Sequence, residues 1–351
     1  MQVFVTYYKP LNTKDRFEQI FCTASVNTCR ETITRKKEDT QLQFKNPVQI
    51  NFNKTLNDFN YTQFKIPKRS GGYRTIDAPN PKLKEEQYKF LKYFEHTNSA
   101  VHNNAYAYVK GRECLNALQL HQKNGSRWFL KLDLKSFFPS CTADFVVHQL
   151  KQLFPLNNPE VFTPEIEEWF RQVCFKEGVL PQGAPTSPKL CNLIMIPFDH
   201  AIVAQLHKID HNFIYTRYAD DILISNKYDF NYTEIVKVLE NIFKDTPLTI
   251  NKAKTRYGSN AGRNWNLGLM TNKDNNITVG HRRKRQLKIA LHNFMSDYTN
   301  NIPWELADLY HLQGELSYIK HIEPEFIQNL LDNKYPALYN NMRLAIKDFH
   351  L

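Results

Sequence analysis

No stretch of this chain approaches the ~18 consecutive apolar residues that a membrane-spanning helix needs. Residues 1–12 lack the basic-then-apolar order of a secretion signal. Cysteine is sparse: six residues, none in a Cys-x-x-Cys pair. That argues against structural zinc and makes the reduced thiols of a cytosol the simplest account. There is no internal repeat and no low-complexity linker. Acid is in deficit, with 35 Asp+Glu against 46 Lys+Arg and a net charge of +11. Such an excess favours a polyanionic partner, because Lys and Arg release counterions when they neutralise phosphates. Charge alone fits a plain basic soluble protein equally well. The expectation from these absences is a cytoplasmic protein with no membrane partner.

What the chain does have is apolar mass. Of 351 residues, 42% are hydrophobic, with 24 Phe and 18 Tyr, enough to build two or three packed subregions. Residues 1–58 are polar and Asn-rich, carry a basic Arg35-Lys36-Lys37 cluster and suggest no chemistry. From Phe64 to Pro79, two alternating runs flank Ser70-Gly71-Gly72, the pattern of a β-hairpin with a glycine turn. Helical spacing follows over 81–96. An apolar run from Trp128 to Leu134, broken by Lys131 and Asp133, reads as a buried strand. Helices are expected over 142–155, 160–176 and 232–244, with one long helix over 186–208 after Thr186-Ser187-Pro188. Two strands should bracket Ala219-Asp220-Asp221, and a short one should cover 248–251. Beyond Gly280 the pattern is helical almost to the end.

The acids are the first chemical signal. Asp220 and Asp221 sit between apolar runs, where solvated charges are not normally placed. On a flat strand neighbouring side chains point to opposite faces, so both converge only if the pair occupies the turn itself. Alone, the pair fits an exposed hairpin tip. Asp133 is a second isolated acid, ending a buried strand, and an unpaired buried charge is costly. It calls for a metal, a cation, or a helix-capping role.

Further motifs carry a resemblance. Asp133 with Phe138, then Leu180-Pro181-Gln182-Gly183-Ala184-Pro185-Thr186-Ser187-Pro188, then Tyr218-Ala219-Asp220-Asp221 follow one another in the order of the palm motifs of reverse transcriptases. Gly72-Tyr73-Arg74-Thr75-Ile76-Asp77-Ala78-Pro79 resembles the fingers motif of bacterial members. Asn251-Lys252-Ala253-Lys254-Thr255 and Leu267-Gly268-Leu269 resemble the next two palm motifs, and 312–331 their helical thumb. The resemblance covers roughly 60–335. It implies an α+β right-hand polymerase with a ferredoxin-like palm sheet and an all-helical thumb. The implied regions are an N-terminal extension of unassigned role (1–58), fingers (59–128), palm with a fingers insertion (129–280) and thumb (281–351).

The resemblance also implies roles. Asp133, Asp220 and Asp221, with the Leu134 carbonyl, would hold two Mg²⁺ ions, Mn²⁺ being a substitute. Two cations activate the attacking hydroxyl and hold the leaving phosphates in phosphoryl transfer. Phe138 would exclude a 2′-hydroxyl from the incoming nucleotide, though core packing explains it as well. Gln182 and Gly183 would approach that nucleotide; otherwise they form a turn before a helix. Lys68, Arg69 and Arg74 would grip the triphosphate, unless they are solvated hairpin charges. Lys254 would assist pyrophosphate departure or be a surface lysine. Arg282, Arg283, Lys284, Arg285 and Lys288 would meet the template–primer backbone, recognised by shape.

Nothing after the thumb resembles a ribonuclease H, maturase or endonuclease domain, as in retron and related phage-defence reverse transcriptases. Asn116 and His121 resemble the retron Asn-Ala-x-x-His element, with His121 one residue late; a helix-surface pair is the other reading. At the position of a Val-Thr-Gly element stands Asn266-Leu267-Gly268, keeping only the glycine. The resemblance therefore implies RNA-directed DNA synthesis on a dedicated structured noncoding RNA, in anti-phage defence. Its partners would be that RNA, dNTPs and a DNA/RNA hybrid product, with room for an effector protein and a second copy of the chain. Template-independent or protein-primed synthesis, and a non-catalytic RNA-binding scaffold, are the competing readings.

Overall fold

The computed structural model describes residues 59–68, 71–96, 101–153, 155–260 and 268–348. The Arg35-Lys36-Lys37 cluster, Arg69, Asn266 and Leu267 lie outside the described residues. Strands β1 (Tyr61–Pro67) and β2 (Tyr73–Pro79) pair antiparallel along their whole length, from Tyr61↔Pro79 to Pro67↔Tyr73. Gly71 and Gly72 turn the chain at φ 88° and 76°, a region glycine enters without steric cost. Helix α1 (Pro81–His96) follows; its start is capped by the Asn80 Oδ1, which accepts from Leu83 N at 2.9 Å. Its Phe90 and Phe94 are fully buried against Phe170.

The centre is a four-stranded antiparallel sheet of β3 (Trp128–Asp133), β4 (Ile214–Tyr218), β5 (Asp221–Asn226) and β6 (Arg256–Ser259), in the order β4-β5-β3-β6. Helices fall between β3 and β4 and between β5 and β6, which is the split β-α-β arrangement of ferredoxin-like sheets. Phe129, Leu130 and Leu132 are each fully buried, so β3 is covered on both faces, and Lys131 and Asp133 interrupt its apolar run. Register divides the sheet cleanly. Asp133 lies opposite Asp221 and Lys131 opposite Leu223, while Tyr218 lies opposite Asp221 and Thr216 opposite Leu223. With a period of two, Phe129, Lys131, Asp133, Asp221, Leu223, Ser225 and Thr216 share one face. Tyr215 and Arg217 are on the other.

The acid-bearing face is roofed at its far end by α2 (Cys114–Lys123) and by the C-terminal helices α9 (His281–Thr299), α10 (Leu306–Ile322), α11 (Pro324–Asn333) and α12 (Leu338–Asp348). Leu118, Phe129, Leu223, Leu287, Leu291 and Phe294 belong to one buried cluster there. Between sheet and bundle, β7 (Met270–Thr271) and β8 (Ile277–Thr278) make a short hairpin. Five helices are inserted between β3 and β4: α3 (Phe137–Ser140), α4 (Ala143–Leu150), α5 (Pro164–Cys174), α6 (Thr186–Ile194) and α7 (Ile196–Ile209); α7 packs on the opposite face of the sheet at β4, and α5 packs on α1. Helix α8 (Tyr232–Ile242) joins β5 to β6.

Two expectations change. The helix expected over 186–208 is two helices meeting at Met195, because Pro197 enters the first turn of the second one without an N–H. The strand expected at 248–251 is only a single bridge, Leu134↔Ile250; the fourth strand is Arg256–Ser259. Among the described residues no helix is long and apolar enough to cross a membrane.

Candidate active site

Strand β4 ends at Tyr218 and β5 begins at Asp221, leaving Ala219-Asp220 as a two-residue loop. Such loops match the strand twist when the first residue has positive φ, and Ala219 has φ 58°. An alanine there costs roughly 1–2 kcal/mol, so the surroundings hold it. Asp133 closes β3 directly opposite Asp221, and Leu134 N donates to the Asp220 carbonyl at 3.0 Å. Register and this bond gather the three carboxylates that the sequence pattern singled out.

Their environments differ. Asp133 accepts from Lys254 Nζ at 3.0 and 3.2 Å and from Asn251 Nδ2 at 3.2 Å. Lys254 is placed by a 3₁₀ turn, Lys252–Lys254, while Asn251 N donates to the Asp133 carbonyl at 2.8 Å. Asp221 pairs with Lys131, two residues before Asp133 on the same face, at 3.1 Å. Burial pushes the Asp220 carboxyl above the ordinary carboxylate range; the charges of Asp221 and Asp133 add to this and Lys254 opposes it.

Among the described residues no three His, Cys, Asp or Glu side chains form a group that holds a metal ion by themselves. Two of the three acids are instead met by ammonium groups. The donor chemistry nonetheless fits magnesium, which takes oxygen ligands. It typically binds through one or two carboxylates and completes its shell with water and substrate phosphate. The charges of Asp133 and Asp221 both bear on the Asp220 carboxyl.

The remaining expected residues are placed as follows. Phe137 is buried and Phe138 half-buried at the start of α3, after Ser136 turns the chain at φ 48°. Lys68 and Arg74 are exposed on the β1–β2 hairpin. Gln182 and Gly183 dock on that hairpin: Asp77 N donates to the Gln182 carbonyl at 2.7 Å. A Cβ on Gly183, at φ 130°, would stand 2.6 Å from the Asp77 carbonyl oxygen. The close backbone approach for which glycine was expected is thus made to β2.

His121 is not on a helix surface. It is fully buried, with Nδ1 2.5 Å from Ser225 Oγ and Nε2 2.8 Å from Thr216 Oγ1, and it bolts α2 onto the sheet. A ring so enclosed has no face open to RNA. Asn116 is half-buried and caps α2, its Oδ1 accepting from Glu113 N at 3.1 Å. Of the basic residues opening α9, Arg282, Arg285 and Lys288 are exposed. Arg283 instead makes a bidentate pair with Glu315 at 2.7 and 2.8 Å over the Tyr318 ring, and Lys284 pairs with Glu323. These two hold the helices of the bundle together.

Three neighbours went unassigned in the sequence. Lys131 was visible as the break in an apolar run. Tyr108, more than half exposed at φ 58°, lies close enough to both Asp220 and Arg74 to feel their charges. Arg217, next to the acidic turn, is fully buried, and only its apolar setting distinguished it.

A split β-α-β sheet with acids at the ends of its central strands is the arrangement that the sequence motifs implied for a polymerase palm. The family model described as reverse transcriptase (RNA-dependent DNA polymerase) matches residues 66–288, and the chain belongs to that family. It is therefore an RNA-directed DNA polymerase. The chain is 32% identical over 288 residues to the retron Ec83 reverse transcriptase of Escherichia coli, covering 78% of this chain and 86% of that protein. Against the retron Ec73 reverse transcriptase of the same organism it is 33% identical over 282 residues, covering 77% and 85%. With the retron Mx65 reverse transcriptase of Myxococcus xanthus it shares 30% identity over 288 residues, covering 79% and 64%.

Proposed function

We propose that Asp133, Asp220 and Asp221 are the catalytic carboxylates of this polymerase. In this reading they hold two Mg²⁺ ions, or Mn²⁺ in their place, with the Leu134 carbonyl as a further ligand. The direct pairing of Asp133 with Asp221, with Asp220 in the adjoining turn, carries the reading. When bound, the ions supply activation of the primer hydroxyl and neutralisation of the leaving phosphates. The chain's own residues do the rest. Lys254 and Lys131 hold the carboxylates of Asp133 and Asp221 in place before loading, each through an ion pair that cations and triphosphate would displace. Arg74 and Lys68, on the hairpin that carries the Gln182-Gly183 loop, grip the triphosphate; Arg69 belongs to the same proposal. Phe138 faces the sugar, and Lys254, freed from Asp133, offers a proton to departing pyrophosphate. Arg282, Arg285 and Lys288 neutralise template–primer phosphates, since Arg283 and Lys284 are committed to carboxylates.

The template in this reading is a dedicated structured noncoding RNA, copied in the cytoplasm as part of anti-phage defence; the likeness to retron reverse transcriptases supports the choice of template. The test is Mg²⁺-dependent dNTP incorporation by the purified chain with its co-purifying RNA, which is then sequenced. Asp220→Asn should abolish synthesis, and an Asp133→Ala/Asp220→Ala variant should lose protection against phage. A protein that extends no primer on any RNA with metal present, or a double variant that still protects, would sink the reading. DNA found covalently attached to a Tyr or Ser would redirect it to protein priming.

A further inference from the structure

Beneath the acidic turn, on the opposite face of the sheet, Arg217 is completely buried and makes four side-chain hydrogen bonds. Nε and Nη2 donate to Asp199 Oδ1 and Oδ2, both at 2.8 Å. Nη1 donates to Asn192 Oδ1 at 3.1 Å and to the carbonyl of Ala219 at 3.2 Å. The guanidinium cannot drift. Asp199 is itself fully buried and also accepts from the Tyr215 hydroxyl at 2.6 Å, and Asn192 Nδ2 donates to the Ala107 carbonyl at 2.8 Å.

A buried ion pair is a weak source of stability, because its desolvation offsets its attraction, and apolar side chains of like volume often serve as well. What an apolar side chain cannot do here is donate to the carbonyl of Ala219. That residue is buried and held in left-handed backbone. The same Arg217 also anchors a neighbouring segment through its backbone. Its N–H donates to the Asn104 carbonyl and its carbonyl accepts from Tyr106 N, both at 2.8 Å. Two residues beyond Tyr106 stands Tyr108, the exposed ring near Asp220 and Arg74.

We propose that Arg217 is a positioning residue for catalysis: it fixes the left-handed turn at Ala219, and with it the direction in which Asp220 and Asp221 present their carboxylates. The proposal rests on the reading of those acids as the catalytic ones. Arginine suits the task because its rigid planar fork serves several acceptors at once, whereas lysine offers a single flexible point.

The test is Arg217→Lys, which keeps a cation beside Asp199 but cannot also reach Asn192 and Ala219. Synthesis kinetics, template–primer binding and Mn²⁺ binding by electron paramagnetic resonance without nucleotide are measured together. The expected result is a kcat lower by about 100-fold, the scale of a misplaced reacting group. Mn²⁺ affinity should weaken about 10-fold, while the dNTP KM and template–primer Kd change little. Adding Ala219→Gly, which takes positive φ without steric cost, should restore most of the loss. A folded Arg217→Lys with unchanged kcat and Mn²⁺ affinity, or a loss that Ala219→Gly does not relieve, overturns the proposal. If Arg217→Lys does not fold, Asn192→Ser, which keeps the Arg217–Asp199 pair, should show the same pattern, and wild-type kcat in it overturns the proposal. An active Asp220→Asn control would instead overturn the assignment of the acids.

Discussion

Replacing His121 with glutamine removes one titrating group from the interface between α2 and the sheet while leaving an amide that can hydrogen-bond. Burial holds the His121 imidazole down at about 3, against an ordinary value of 6.5. In the neutral ring one nitrogen donates and the other accepts, and the Ser225 and Thr216 hydroxyls serve both. The neutral ring is the form that fits. A folded-state pKa below the unfolded one means that the histidine's contribution is complete above pH 6.5 and drains away as pH falls toward 3. The loss runs at about 1.4 kcal/mol per pH unit. Between pH 8 and pH 5 the wild type should therefore lose about 2 kcal/mol from this group alone. His102, held down to about 4 by burial, adds a loss of the same sign. The informative quantity is thus the difference between wild type and His121→Gln in urea unfolding across that range. The two stabilities should converge by about 2 kcal/mol at pH 5. Parallel curves from pH 8 to pH 5 would refute the reasoning, since only a His121 solvated in the folded state would titrate alike in both states.

Gly183→Ala should destabilise by about 1–3 kcal/mol in urea unfolding, because its Cβ meets the backbone carbonyl of Asp77 at 2.6 Å. Gly178→Ala is the control: it has positive φ but open space, and should cost only about 1 kcal/mol. Equal costs at the two positions would discount the contact with β2. On the thumb helices, the Arg282→Ala/Arg285→Ala/Lys288→Ala variant should reduce the slope of log Kd against log salt for a template–primer by about 2–3. Arg283→Ala, by contrast, should lower the melting temperature through its lost pair with Glu315 and leave that slope nearly unchanged.

Much of the chain was legible residue by residue because its local signals agreed with its tertiary role. The β1–β2 hairpin announced itself through alternation around Gly71-Gly72. Strand β3 did so through a short apolar run of the kind a strand buried on both faces carries, and the acidic turn through polar residues where apolar ones were due. The helix break at Met195 was less visible, since Pro197 is tolerated in a first turn and reads as the interior of a longer helix. Strand β6 was missed because Arg256–Ser259 is short and polar, an edge strand stabilised by pairing with β3 rather than by its own pattern.

The sequence by itself determined the chemistry available: three acids at fixed places along the chain, in the order of one polymerase family. Only the tertiary structure decided which charges are free to use it. Arg282 and Arg283 are neighbours in the chain, yet helix geometry leaves one exposed and turns the other onto Glu315. His121, whose spacing suggested a surface motif, is buried beneath α2 against Ser225 and Thr216. Arg217, two residues before Ala219, points to the face opposite Asp221, because side chains on a strand alternate. Burial and partners are properties of the pairing between distant segments, and a one-dimensional pattern does not carry them.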